Sequence, residues 1–356
     1  MINQKPFKEL IVVELANVLA GPLVGMFFAE LGAKVIKIEN KRSEGDITRK
    51  WKLAREKNNS GSSAYYTSAN WGKKSIFLDL NKNSDKNKVY TLVKDADVVI
   101  TNYKKGDATK LGMNYEALKK INSNLIYGHI SGYGENDPRV AFDLVLQAET
   151  GFMSMNGTKE SGPLKMPVAL IDLLAAHQLK EGILIALLNR FKTKKGSKVS
   201  VSLYDTALAS LANQSSNYLN TGYVPQLNGS LHPNIAPYGE TFKTKDNKFI
   251  TLAIGTDKQF IDLCLCLDDS SLFINKLFIS NQQRVKNRKT LFKKLEKKIQ
   301  KFTLKKISDK LKKNKIPHGT IQNLKEVLKD KNAKKLILSS IDSQKVLKTV
   351  VFNHNL

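Results

Sequence analysis

Histidine and cysteine are scarce in this 356-residue chain, at five and two. The two cysteines, Cys264 and Cys266, sit two apart in "IDLCLCLDD". On a helix such a pair points to different faces, and no further cysteines exist to complete a zinc set or a disulfide framework. Buried free thiols are the expectation. H-E-x-x-H, G-x-S-x-G and C-x-x-C are all missing, so histidine-driven and metal-driven mechanisms have little support. The first apolar run is followed by "ANVLAGPLVG" rather than G-x-G-x-x-G, which removes the main support for nicotinamide or flavin, and no Walker A sequence occurs. No charge-free apolar run reaches the roughly 18 residues of a membrane span. The start, "MINQKPFKEL", has neither an apolar signal core nor the Arg- and Ser-rich character of a transit peptide. A cytoplasmic protein without a membrane partner is expected.

Acidic residues are also few. Against 58 Lys+Arg stand 32 Asp+Glu, leaving a formal charge of +26. Such an excess raises nucleic-acid binding as a class. Only seven of the basic residues are arginine, however, and the arginine–aromatic interleaving of base and single-strand readers is missing. The lysines are densest in "KTLFKKLEKKIQKFTLKKISDKLKKNK" (289–315), where apolar residues recur every three or four positions. That pattern is an amphipathic helix pair with solvated lysine faces. The charge argues for attraction of an anionic small molecule rather than for a nucleic-acid partner.

What is present is an alternation of strands and helices. "ELIVVEL" (9–15) reads as a buried strand, "GPLVGMFFAELG" (21–32) as a helix stopped by Gly32, and "AKVIKIE" (33–39) as the next strand. Strand, helix and strand within about thirty residues imply a parallel crossover. The rhythm continues through "KSIFLDL" (74–80), a helix near 84–95, "DADVVITN" (95–102) and "LIYGHIS" (125–131). A doubly wound, Rossmann-like α/β domain follows, spanning 1–220. Residues 221–239, rich in Gly, Pro and Asn, form a linker. A small α+β domain fills 240–320, opening with two strands around a Lys-Asp-Asn-Lys turn, and residues 321–356 leave it.

With histidines and metals set aside, carboxylates carry the chemistry. Asp172 follows "KMPVALI" and opens an apolar helix. It suits an ordinary N-cap, accepting the free amides of the first turn. The same amides and helix dipole would hold the carboxylate ionised and aimed as an oxygen nucleophile. Asp143, in "AFDLVLQAETG", begins another helix with Gln147 one turn along the same face. These residues alone reach an α/β enzyme with a carboxylate site and an anionic ligand.

An ordered series of motifs goes further: "VLAGPLVGMFFAELGAKVIKIE", "GDITRKW", "NWGKKSIFLDL", "ADVVITNYKKGDATKLGMNYEAL", "LIYGHISGYGENDP", "FDLVLQAETGFMSMNG", "PVALIDLLAA", "RFKTKKGSKVSVSLYDTAL", "HPNIAPYGETFKTKDNKFITLAIG" and "IPHGTIQNLKEVLKD". Over residues 7–330 the chain resembles the class III (family III) CoA-transferases, which include formyl-CoA and carnitine CoA-transferases. In motif it is similar to members acting on dicarboxylates, with succinyl-CoA as donor. The resemblance implies that Asp172 attacks an acyl-CoA, passes through mixed anhydrides and an aspartyl-CoA thioester, and needs no cofactor beyond CoA as substrate. It places Val18 and Leu19 beside the thioester arm, Leu78 by the adenine, and Asn102 and Tyr103 on the pantetheine or nucleotide portion. Lys110 stands where the family often has a phosphate-binding arginine, a point charge instead of a fork. Asn40 replaces another common arginine, with Lys41 and Arg42 adjacent. Phe142 and Asp143 fall at the acyl end of the site, Phe142 in place of a frequent tyrosine.

The resemblance also implies an interlocked homodimer and a final segment, 321–356, that returns to the large domain in shortened form. Two other readings stay open at this level. An α-methylacyl-CoA racemase of the same fold would need a histidine where Phe142 stands. A non-catalytic CoA- or nucleic-acid-binding relative would fit the charge.

Overall fold

A computed structural model of the chain describes residues 5–56, 61–339 and 344–352. The chain divides into two compact units. One runs to Phe152 and includes Lys165–Ser216 and the chain from Asn332 onward; the other comprises Met153–Leu164 and Asn217–Lys331.

The first unit is built on six strands: β1 (Ile11–Glu14), β2 (Lys34–Asn40), β3 (Lys74–Leu78), β4 (Val98–Thr101), β5 (Ile126–Ser131) and β6 (Ser197–Ser202). They form one sheet in the order β3-β2-β1-β4-β5-β6, with every neighbouring pair parallel. The apolar runs are near-continuous because both faces are covered. Val12, Val98 and Ile126 join one core, and their successors Val13, Val99 and Tyr127 join another. Strand order reverses between β1 and β4, and in such sheets ligands bind beyond the strands' carboxyl ends at that reversal.

Between the strands lie α1 (Ala20–Glu30), α2 (Ala64–Asn70), α3 (Asn83–Lys94), α4 (Asp143–Glu149) and the long α5 (Leu170–Thr193). Gly32, with φ +100°, follows the end of α1, as its place in the sequence suggests. Gly25 within α1 answers a different need: a Cβ there would run into the Glu14 carboxylate. The chain's last described residues are tied to this unit, with the Thr349 amide and hydroxyl donating to Glu30 Oε1 at 2.8 and 2.7 Å.

The second unit has an antiparallel sheet of β7 (Tyr238–Lys243), β8 (Phe249–Ala253) and β9 (His318–Thr320), ordered β9-β8-β7. Helices α6 (Asp257–Cys266), α7 (Arg288–Ile299) and α8 (Leu304–Lys313) carry its core. Leu291, Leu295, Ile299, Ile307 and Leu311 point inward from α7 and α8, as the apolar spacing requires. Cys264 and Cys266 are both buried and unpaired.

Candidate active site

The long helix begins at Leu170 with Ala169 at its cap, so Asp172 is its third residue and not the N-cap that the sequence suggests. The capping task falls to Asp143 from a different helix. The Ile171 amide donates to Asp143 Oδ1 at 2.7 Å. Gln147, one turn along α4, donates its Nε2 to Asp143 Oδ2 at 2.6 Å. Its own Oε1 accepts from the Met166 amide at 2.8 Å. Asp143 is thus fixed by both oxygens, and Asp172 beside it is left available.

Partial burial sets the character of Asp172. Desolvation, followed by the charge on Asp143, pushes its carboxyl up to about 7. The helix dipole opposes this, but an interaction of about 1 kcal/mol amounts to less than one pH unit and cannot win. A basic carboxylate, half ionised near neutrality, is a competent oxygen nucleophile.

Asp172 lines a cleft of about 370 Å³ together with Val18, Leu19, Asn102, Tyr103 and Phe142, all six expected from the sequence. A smaller pocket of about 120 Å³ is lined by Asn40 and Leu78. Asn17 and Tyr103 border both cavities, which makes them neighbours along the sheet's carboxyl edge. Asn17 is held there by a reciprocal pair: its amide donates to Asn102 Oδ1 at 3.0 Å, and Asn102 Nδ2 donates to its carbonyl at 2.8 Å. Arg42 and Lys110 line neither cavity. Arg42 is exposed, with its amide on Asn40 Oδ1, and the Lys110 side chain is 81% exposed, 4.0 Å from Asp107.

Two features escape a sequence reading. His129, in an apolar strand, reaches the cleft wall with Nδ1 2.9 Å from Thr101 Oγ1, and burial lowers its basicity. A buried charge network also sits beneath the cleft. Lys37 Nζ lies 3.0 Å from Glu14 and 3.2 Å from Asp46, and Lys73 Nζ lies 2.7 Å from Glu14. Arg49 clasps Glu39 through Nε at 2.7 Å and Nη2 at 2.5 Å. The signal was present in the strands: Glu14, Lys37 and Glu39 are charged residues inside otherwise apolar runs, and buried charges require partners.

Comparison with known proteins places this geometry. The model of "CoA-transferase family III" matches residues 7–354. Succinate–glutarate CoA-transferase of Agrobacterium fabrum is 36% identical over 337 residues, covering 93% of this chain and 84% of that protein. Human succinyl-CoA:glutarate CoA-transferase is 33% identical, covering 92% and 74%. Among solved structures, a CAIB/BAIF family protein from Brucella suis superposes with a TM-score of 0.85 at 35% identity, over 98% of this chain and 93% of that one.

Proposed function

The chain belongs to CoA-transferase family III, and on that premise we propose that it moves CoA from a dicarboxylyl-CoA donor such as succinyl-CoA to a second dicarboxylate through Asp172. The observation that carries this is the Asp172 carboxylate on the cleft wall, with its partner Asp143 already saturated. An Asp172 oxygen attacks the donor's thioester carbon. The C–S bond breaks, CoA leaves as thiolate, and a mixed anhydride remains. The thiolate attacks Cγ of Asp172, expelling the donor acid and leaving an aspartyl-CoA thioester. The acceptor carboxylate attacks the same Cγ and expels the thiolate. That thiolate then takes the acceptor's acyl carbon, freeing Asp172. No electron is gained or lost, so the scheme calls on no redox cofactor. The phenyl ring of Phe142, on the cleft wall, offers no base for racemisation.

CoA is read as lying along the two adjoining cavities, with the adenine end near Leu78 and the thioester arm near Val18. The homodimer and the cytoplasmic setting belong to the same proposal. Support for the dimer comes from α5, where Ile185, Leu188 and Phe191 are 60%, 68% and 79% exposed at three-residue spacing. No helix among the described residues is long and apolar enough to cross a membrane.

The test uses succinyl-CoA with ¹⁸O-labelled glutarate, followed by hydroxylamine trapping and peptide mass spectrometry. One acceptor oxygen should end in the Asp172 carboxylate, and the trapped hydroxamate should map to the same residue. Glutaryl-CoA formed with an unlabelled, untrapped Asp172 would remove it as nucleophile; no transfer among dicarboxylyl-CoA esters would remove the substrate class.

A further inference from the structure

The loop between β1 and α1 is strained at the place where it forms the cleft wall. Val18 has φ +71°, in the left-handed region where a β-branched residue is a true outlier. Such a conformation persists only where its surroundings over-determine it. One side of the hold is the Asn17–Asn102 pair. The other is Asp46, whose Oδ2 accepts the Val18 amide at 3.0 Å.

Asp46 comes from "GDITRKW", a motif that nothing in the chemistry above uses. It is only 2% exposed and lines neither cavity. Its Oδ1 accepts the Thr48 amide at 3.0 Å and hydroxyl at 2.8 Å. Its Oδ2 also lies 3.2 Å from Lys37 Nζ. Its own amide donates to Glu39 Oε2 at 2.8 Å, on the carboxylate that Arg49 clasps. A rigid charge network therefore reaches the loop through one carboxylate oxygen. The same network borders the smaller pocket through Glu39, while residues 17–19 border the larger cleft.

We propose that Asp46 is a positioning residue for CoA: it pins the Val18 backbone in its left-handed turn, so that the loop of Asn17, Val18 and Leu19 presents one fixed wall to the thioester arm. Without that acceptor, Val18 relaxes toward ordinary backbone angles and the wall moves with it. The inference rests on the reading that CoA occupies these cavities, and the experiment separates the two.

CoA affinity is measured by calorimetry, and initial rates at varied donor, for the wild type, Asp46→Asn, Val18→Gly and the double variant, with thermal unfolding alongside. Glycine adopts φ +71° freely, so it has no need of the pin. Asp46→Asn should weaken CoA binding at least about ten-fold in the Val18 background and less than about three-fold in the Val18→Gly background, a coupling expected only of residues that act together. The loss should appear in KM for the donor, with kcat at saturation kept within about three-fold, because positioning enters through binding. If Asp46→Asn unfolds alone but folds with Val18→Gly, the pin is confirmed. An equal penalty in both backgrounds, no penalty in either, or unfolding in both would overturn it. Absence of CoA binding by the wild type would instead sink the proposed function.

Discussion

Glu39 and Asp172 are carboxylates of the same sheet unit, both withdrawn from water, and they end at opposite extremes. Burial works to raise each. Around Glu39 it is beaten by hydrogen bonds from Arg49, from Ser75 and from the Asp46 amide, and the carboxyl falls to about 2. Beside Asp172 the nearest charge is another carboxylate, and the group rises to about 7. Position near the site thus says little about chemistry; the partners decide it. A carboxylate satisfied on every side is locked and inert, and serves to hold backbone. One left short of donors is costly to ionise and therefore reactive. The fold keeps both kinds at the carboxyl edge of one sheet, the first as frame and the second, on the proposed mechanism, as tool.

The comparison breaks most visibly under deletion of the tool. Asp172→Ala should lower CoA transfer by at least about 10³-fold, the scale of losing a covalent nucleophile. Because Ala169, not Asp172, occupies the N-cap position, and Asp143 supplies the cap by accepting the Ile171 amide, the fold should be untouched. Transfer assays together with thermal unfolding check both halves; appreciable turnover by a folded variant would place the nucleophile elsewhere. The frame should respond the other way. Arg49→Met leaves Glu39 buried without its fork, a loss of about 3 kcal/mol by the usual cost of orphaning a buried charge. Urea unfolding measures it. A change under about 1 kcal/mol would mean that Glu39 is held by its amide and hydroxyl donors alone.

The tool was easier to find in the sequence than the frame. Asp172 stands at the head of a helical pattern, after a proline and a short apolar run, and the order of motifs around it points to one family. The strand rhythm from Ile11 to Ser131 was plain because the central strands are buried on both faces, and Asn17's neighbours Val18 and Leu19 were placed by the family resemblance. Glu14, Lys37 and Glu39 stood out as charges inside apolar strands, but hydrophobic patterning names no partners for them. Asp46, Arg49 and Lys73 reach them from segments up to 59 positions away. Pairing across such distances is a property of the folded sheet. Helix geometry was likewise hidden at Asp172: its cap comes from Asp143, 28 residues upstream, and no local rule for caps looks that far.

The finest test acts on the interval between about 2 and about 7 itself. If Asp172 must lose its proton to attack, kcat/KM for the donor should climb with pH and level above about 7. Asp143→Asn keeps an oxygen for the Ile171 amide and removes the charge. The inflection should move down by about one unit but stay well above the ordinary aspartate range, because burial is the larger cause and remains. Other groups near the pair do not imitate this shift. Tyr65, raised by burial and then by the charges of Asp172 and Asp143, stays neutral throughout. His129 titrates lower than usual. Stability should carry the opposite sign. A carboxyl whose folded-state pKa is raised favours the fold fully below its unfolded value, and that contribution is lost as pH rises through 7. Relative to Asp172→Asn, the wild type should therefore lose on the order of 1–3 kcal/mol between about pH 5 and about pH 9. An inflection that does not move in Asp143→Asn would show that burial alone makes the nucleophile, and that Asp143 serves only to hold the helix.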